Sequence, residues 1–134
     1  AICGAIETHG IRHAITSPLE HHAVLHTLQH LAAHNRIRLS FVKLTANGDP
    51  DLADLERLLQ AEERSFVSLM HANNEVGNLI DLHETGGLCR QYNALFHSDT
   101  VQTVGHFHHD LLSTPVDFIV GAAHKFHGPK GIGF

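Results

Sequence analysis

Cysteine is scarce: Cys3 and Cys89 are the only two in 134 residues, too few for a disulfide framework or a thiolate metal cluster. Both read as small apolar side chains of a core. Long hydrophobic runs are missing as well. None approaches the roughly 18 residues a membrane span needs, and no charged-then-apolar leader opens the chain. A soluble, cytoplasmic protein with no membrane partner is therefore expected. Basic residues are few, 9 Lys and Arg against 14 Asp and Glu, giving a formal net charge of -5 with His neutral. That leaves no basic stripe for nucleic acid, and no nucleic-acid role is expected. Internal repeats, linkers and low-complexity tracts are also absent.

What is present reads as one α/β domain. The hydrophobic content is 43%, enough for a core. Apolar runs alternate with helix-period stretches, the pattern of βαβ units. A three-layer α/β/α arrangement around a mostly parallel sheet follows. Strand candidates are 12–16, 37–44, 65–70, 94–98 and 116–122. Ser17-Pro18-Leu19-Glu20 has the form of a capping box with Pro at the first helical position, predicting a helix from there to about His34. Asp49-Pro50-Asp51 predicts a second helix start before Leu52, Leu55, Leu58 and Leu59. A third helix, about 81–92, holds Gly86 and Gly87 in its interior, at a cost of about 2 kcal/mol relative to Ala. Leu88, Cys89 and Tyr92 must anchor it.

Two charged residues close apolar runs, Asp99 in Ala94-Leu-Phe-His-Ser-Asp99-Thr-Val-Gln102 and Lys125 in Asp117-Phe-Ile-Val-Gly-Ala-Ala-His-Lys125. An amine that can hold an aldehyde as a Schiff base and a carboxylate that can keep a ring nitrogen protonated are what pyridoxal 5'-phosphate requires. In an open α/β sheet, ligands bind outside the carboxyl ends of the strands. Asn73, Asn74, Asp99, Gln102, His124 and Lys125 all follow strand candidates at that edge.

With Glu20-His21-His22-Ala23-Val24-Leu25 and His71-Ala72-Asn73-Asn74-Glu75-Val76-Gly77 upstream, and Gly128-Pro129-Lys130-Gly131 downstream, the chain resembles the cysteine desulfurases of the NifS/IscS type. These belong to the class V aminotransferase-like, fold-type I pyridoxal-phosphate enzymes. The resemblance is colinear from Ala1 to Phe134 and implies that residues 1–134 are the central part of the large cofactor domain. The absence of an initiator Met and an ending that reads like a strand just beginning lead to the expectation of an incomplete enzyme. The family's Gly-Ala-Thr phosphate loop would lie just before Ala1. The nucleophilic Cys and the substrate-binding Arg would lie beyond Phe134, and neither Cys3 nor Cys89 matches that nucleophile.

By this resemblance Lys125 is the Schiff-base lysine and, once freed, a general base and acid. Asp99 is the partner of the ring nitrogen. Gln102 and Asn74 lie beside the phenolic oxygen, Asn73 and Glu75 fix the loop, and His124 contributes to phosphate binding. Many relatives carry Ser where this chain has Ala122, so one phosphate hydrogen bond is expected to be missing, about 1.5 to 3 kcal/mol. His21 is the ring expected to lie flat against the pyridine. On a helical wheel it falls with Val24, Leu25, Leu28, Leu31 and Ala32, whereas His22 falls opposite.

The resemblance further implies L-cysteine as substrate, alanine and an enzyme persulfide as products, and sulfur acceptors such as an iron-sulfur scaffold or tRNA-thiolation proteins. It also implies a homodimer. Selenocysteine lyase or another class V enzyme is the enzymatic alternative.

Histidine supplies a reading of another class. There are 15, and His22, His26, His30 and His34 recur every fourth residue, the spacing at which neighbouring rings can share a Zn or Ni ion. A His-rich metal-binding module is the remote alternative. The stripe lies opposite the leucines and lacks carboxylate or thiolate partners, so no metal is assigned to the site.

Overall fold

The computed structural model describes residues 1–61 and 64–134. In chain order the elements are α1 (Ile2–Thr8), β1 (His13–Thr16), α2 (His22–Ala33), β2 (Arg38–Phe41), α3 (Leu52–Leu59), β3 (Ser65–Ser68), α4 (Leu82–Gln91), β4 (Leu95–Asp99) and β5 (Phe118–Val120), followed by a 3-10 turn over Ala123–Lys125. The five strands run in the order β2-β1-β3-β4-β5. All four pairings are parallel. The expected five strand segments therefore all form, shorter at most ends.

Strand alternation divides the core in two. Ile15, Val67 and Phe96 point to one face, where they pack with Leu55, Leu58 and Leu59 of α3 and Leu82 and Cys89 of α4. Ala14 and Phe66 point to the other, against Ile2, Ala5 and Ile6 of α1 and Val24, Leu28 and Leu31 of α2. Helices thus cover both faces, and the three-layer α/β/α arrangement is present. Parallel strands buried on both sides read as continuous apolar runs, which is why they were visible in the sequence.

Two expectations fail here. The helix expected from Ser17 starts instead at His22, with His21 as its N-cap. The Ser17 hydroxyl donates to Glu20 Oε1 at 2.9 Å, and the same oxygen accepts from the Met70 N–H at 2.9 Å. Glu20 is committed to the chain just past the end of β3, the sheet neighbour of β1, and does not fold back to close a capping box. The second failure is Cys3. Cys89 is buried as expected, but Cys3 is exposed. The buried side of α1 is Ile2, Ala5 and Ile6, and Cys3 is turned about 100° away from Ile2.

The two interior glycines of α4 are not equivalent. A Cβ on Gly86 would lie 2.1 Å from the Pro115 carbonyl oxygen, while one on Gly87 meets nothing within 4 Å. Gly86 lets the chain entering β5 run directly over α4. Gly87→Ala should therefore stabilise by up to about 1 kcal/mol through helix propensity. Gly86→Ala should destabilise by about 1 to 3 kcal/mol, because backbone must move. Urea unfolding of both variants checks this, and shifts of the same sign would contradict the close approach.

Candidate functional site

The carboxyl ends of β3, β4 and β5 form the floor of a cavity of about 580 Å³, and α1 with the start of α2 forms its wall. That size suits a small organic ligand. Its lining includes His21, Asn74, Asp99, Gln102, His124 and Lys125, every residue singled out for the site. The structure brings all six together from four separate stretches of chain.

Asp99 ends β4 and is buried. Its Oδ1 accepts from the Val101 N–H at 3.0 Å, which fixes the carboxylate at the mouth of the strand. Two residues earlier, on the same face of β4, His97 also lines the cavity. Its Nδ1 is hydrogen-bonded to Ser68 Oγ at 2.8 Å, and its ring stacks on Phe66. Burial pushes His97 down to about 4, so it is neutral near pH 7 and does not cancel the negative charge of Asp99.

The turn after β4 carries Gln102. The N–H groups of Thr103 and Val104 both donate to the Thr100 carbonyl at 2.9 Å, so the backbone around Gln102 is held on either side. Thr103 Oγ1 is hydrogen-bonded to His71 Nδ1 at 2.9 Å, joining this turn to the loop that carries Asn74. His71 is buried, and burial, with His109 next, pushes it down to about 4.

Asn73 organises that loop as expected. Its Oδ1 accepts from Glu75 N–H at 2.8 Å and Val76 N–H at 2.9 Å, and its Nδ2 donates to the Leu19 carbonyl at 2.8 Å. Asn74 is left exposed at the cavity. Glu75 is exposed and contributes its backbone N–H to the loop.

His21 faces the cavity for a reason other than the helical wheel. It precedes α2, and its Nδ1 accepts from the Ala23 N–H at 3.2 Å. The cap bond sets the ring, and it places the lone pair on Nδ1 and the proton of the neutral form on Nε2. His22, one step on, lies outside this cavity and stacks with His26.

Lys125 and His124 sit on the 3-10 turn after β5. The turn is closed by Lys125 N–H donating to the Ala122 carbonyl at 2.9 Å and Gly128 N–H donating to the Ala123 carbonyl at 2.8 Å. Gly128 is needed there, since a Cβ would lie 2.7 Å from the Ala123 Cβ. His106 Nε2 donates to the Lys125 carbonyl at 2.9 Å and ties this turn to the one carrying Gln102. Among the described residues, no carboxylate pairs with the Lys125 ammonium. Ala122 lines the cavity as a methyl where a hydroxyl was noted as missing.

His106 is exposed, so its substitution should leave the fold intact. Losing its bond frees the Lys125 backbone, and His106→Ala should weaken retention of a ligand held by Lys125 by roughly two- to tenfold, the worth of one neutral hydrogen bond. Equilibrium dialysis against pyridoxal phosphate reads this directly, and unchanged retention would remove His106 from the support.

Sequence reasoning missed Glu20, His71, His97 and His106. Only His97 had a clear signal: it lies two residues from Asp99 in a strand, and so on the same face. The others depend on partners 19 to 50 residues away.

A parallel sheet with ligand groups gathered at its carboxyl edge defines the chain as an α/β ligand-binding domain of the doubly covered kind. The family model described as aminotransferase class-V matches residues 4–134, and the chain belongs to that family. It is 38% identical over 121 residues to the cysteine desulfurase IscS of Clostridium botulinum, covering 90% of this chain and 30% of that protein. To the cysteine desulfurase IscS of Dictyoglomus turgidum it is 39% identical over 132 residues, covering 96% and 32%. Among solved structures, a NifS-like protein superposes with a TM-score of 0.90 at 36% identity, covering 98% of this chain and 37% of that one. The apo cysteine desulfurase of Thermococcus onnurineus NA1 gives 0.83 at 30% identity, covering 92% and 30%. The chain thus spans about a third of the length of these relatives.

Proposed function

We propose that this chain is the cofactor-binding core of a pyridoxal-phosphate-dependent cysteine desulfurase. The observation carrying this reading is the convergence of a lysine, a buried carboxylate, a capping histidine and two amides in one cavity. Class V relatives of this kind are pyridoxal-phosphate enzymes.

The donor set fits that cofactor. Asp99 has one oxygen held by a backbone N–H and sits buried at the end of β4, a carboxylate placed to partner a protonated ring nitrogen. Lys125 offers an amine without a competing carboxylate among the described residues. Gln102 and Asn74 supply amide donors for a phenolic oxygen, His124 a donor for phosphate, and His21 a flat ring for the cofactor face. Pyridoxal phosphate, when bound, supplies an aldehyde that captures the substrate amine and a ring that takes up electrons.

The protein's part is positioning and proton transfer. Lys125 Nζ, displaced by the amine of L-cysteine, moves the proton at the substrate Cα. His21, pinned through Nδ1, bears its proton on Nε2 above the same crevice. His97 stays neutral beneath it, so the carboxylate of Asp99 is not drawn into a rival ion pair. A Cys thiolate beyond Phe134 would take the sulfur, leaving alanine, and pass it to iron-sulfur scaffold or tRNA-thiolation proteins. A homodimer acting in the cytoplasm completes this reading. Among the described residues no helix is long and apolar enough to cross a membrane.

The test is product analysis on the full-length protein with pyridoxal phosphate. Alanine formed from L-cysteine in step with sulfide released by a reductant supports the reading. Turnover of L-selenocysteine alone would move the assignment to a selenocysteine lyase, and neither product would overturn it.

A further inference from the structure

The face of α2 turned away from the leucines carries His22, His26, His30 and His34, and all four side chains are exposed. Spacing of four residues stacks neighbouring rings on a helix. The centroids are 4.9 Å apart for His22 and His26 and 4.2 Å apart for His30 and His34. Two histidines at this spacing on one helix face are a known geometry for sharing one metal ion.

The second pair has two further features. His34 Nδ1 donates to the His30 carbonyl at 2.8 Å, since a carbonyl can only accept, and this leaves Nε2 as the lone-pair nitrogen of the neutral ring. Metal-bound imidazoles ordinarily donate their other N–H to such a partner, which fixes the tautomer and the ring angle. The pair also occupies the last turn and C-cap of α2, where the terminal carbonyls create a field that favours a cation. His22 and His26 stand at the opposite, positive end.

We infer that His30 and His34 form an open two-histidine site for a borderline-soft divalent transition metal, Cu(II), Ni(II) or Zn(II). Solvent fills the remaining coordination positions. Among the described residues no group of three or more His, Cys, Asp or Glu could enclose an ion, so the site is a bidentate, exchangeable one rather than a structural cage. Affinity follows the order of the divalent series, with Cu(II) tightest, while Mg(II) and Ca(II), which prefer oxygen ligands, are not held. Neither histidine lines the cofactor cavity, and the inference stands independently of the proposed enzymatic activity.

Calorimetric titration of tag-free full-length protein with NiCl2, without added cofactor, tests it. Replacing both residues, His30→Gln with His34→Gln, should weaken the tightest class of Ni(II) sites by at least roughly tenfold, since disturbing even the supporting partner of a ligand costs that much. Replacing His22 and His26 by Gln should leave that class in place. The single variant His30→Gln keeps the histidine at the cap and guards against a folding artefact, and it should show the same loss. Unchanged Ni(II) affinity in both the single and the double variant, or a loss confined to the His22/His26 variant, would overturn the site.

Discussion

Replacing Lys125 with alanine is expected to abolish the visible absorbance that the full-length protein acquires with pyridoxal phosphate, and to lower turnover at least about a thousandfold. The first effect follows from chemistry: only a primary amine can hold the aldehyde, and Lys125 is the lysine lining the cavity. The second reflects loss of a positioned proton carrier, worth about 10² to 10⁴-fold, together with the anchor itself. The fold should be unaffected, because the side chain is exposed and makes no ion pair among the described residues.

Lys125→Arg separates two roles. It keeps a positive charge in the same place but offers a guanidinium that neither condenses with an aldehyde nor gives up its proton. If the charge alone mattered, Arg would restore absorbance; it is expected to be as silent as Ala. Persistence of the band in Lys125→Ala would mean that another amine is the anchor, and Lys130, five residues on in the same Gly-rich loop, would be the first to examine.

The parts of this architecture that were legible in the sequence are those fixed by local pattern. Phe66 and Val67, or Ala14 and Ile15, alternate between two helical layers, and apolar runs of that kind announce a strand buried on both faces. The start of α3 was legible because Asp51 accepts from the N–H groups of Ala53 and Asp54, a cap made with its own neighbours. The start of α2 was not, although Ser17-Pro18-Leu19-Glu20 carries the stronger local signal. Glu20 is taken by the Met70 N–H fifty residues away, and no window of the sequence contains both.

The same distinction applies to the cavity. Asp99 ends a strand and Gln102, His124 and Lys125 follow strands, so topology alone delivers them to one edge. The supports that hold them, His71 on Thr103 and His106 on the Lys125 carbonyl, join loops that are adjacent only after the sheet has formed. His21 lines the cavity, but the helical-wheel argument offered for it beside the family motif does not apply, since it caps the helix from outside.

Glu20→Gln is expected to change how stability depends on pH. The Glu20 carboxyl is buried, its Oε2 has no hydrogen-bond partner among the described residues, and burial raises it from 4.5 to about 7. The Met70 N–H and Ser17 hydroxyl offset part of this, while the negative Asp99 adds to it. Below pH 4.5 the group is protonated both folded and unfolded, and contributes nothing to the pH dependence. Between 4.5 and 7 unfolding releases its proton, so the folded state loses stability as pH rises. Above 7 the full penalty applies, about 3 kcal/mol. His97 runs the other way. It protonates at 6.5 when unfolded but at about 4 when folded, so its contribution is present above 6.5 and is lost as pH falls toward 4. His71 has the same sign. In the native protein the opposing slopes partly cancel between pH 4.5 and 6.5. Gln, isosteric with the protonated acid, removes only the falling branch. The variant should match the native protein near pH 4.5, apart from a constant offset, and gain about 3 kcal/mol on it by pH 8, with the rising histidine branch exposed. Urea unfolding of both proteins at pH 4.5, 6 and 8 measures this, and parallel stability curves would show that Glu20 ionises in the folded state as it does in water. Because this carboxyl holds the Met70 backbone beside the Asn73 loop, its protonated form is the one that supports the cavity edge without placing a second negative charge near Asp99.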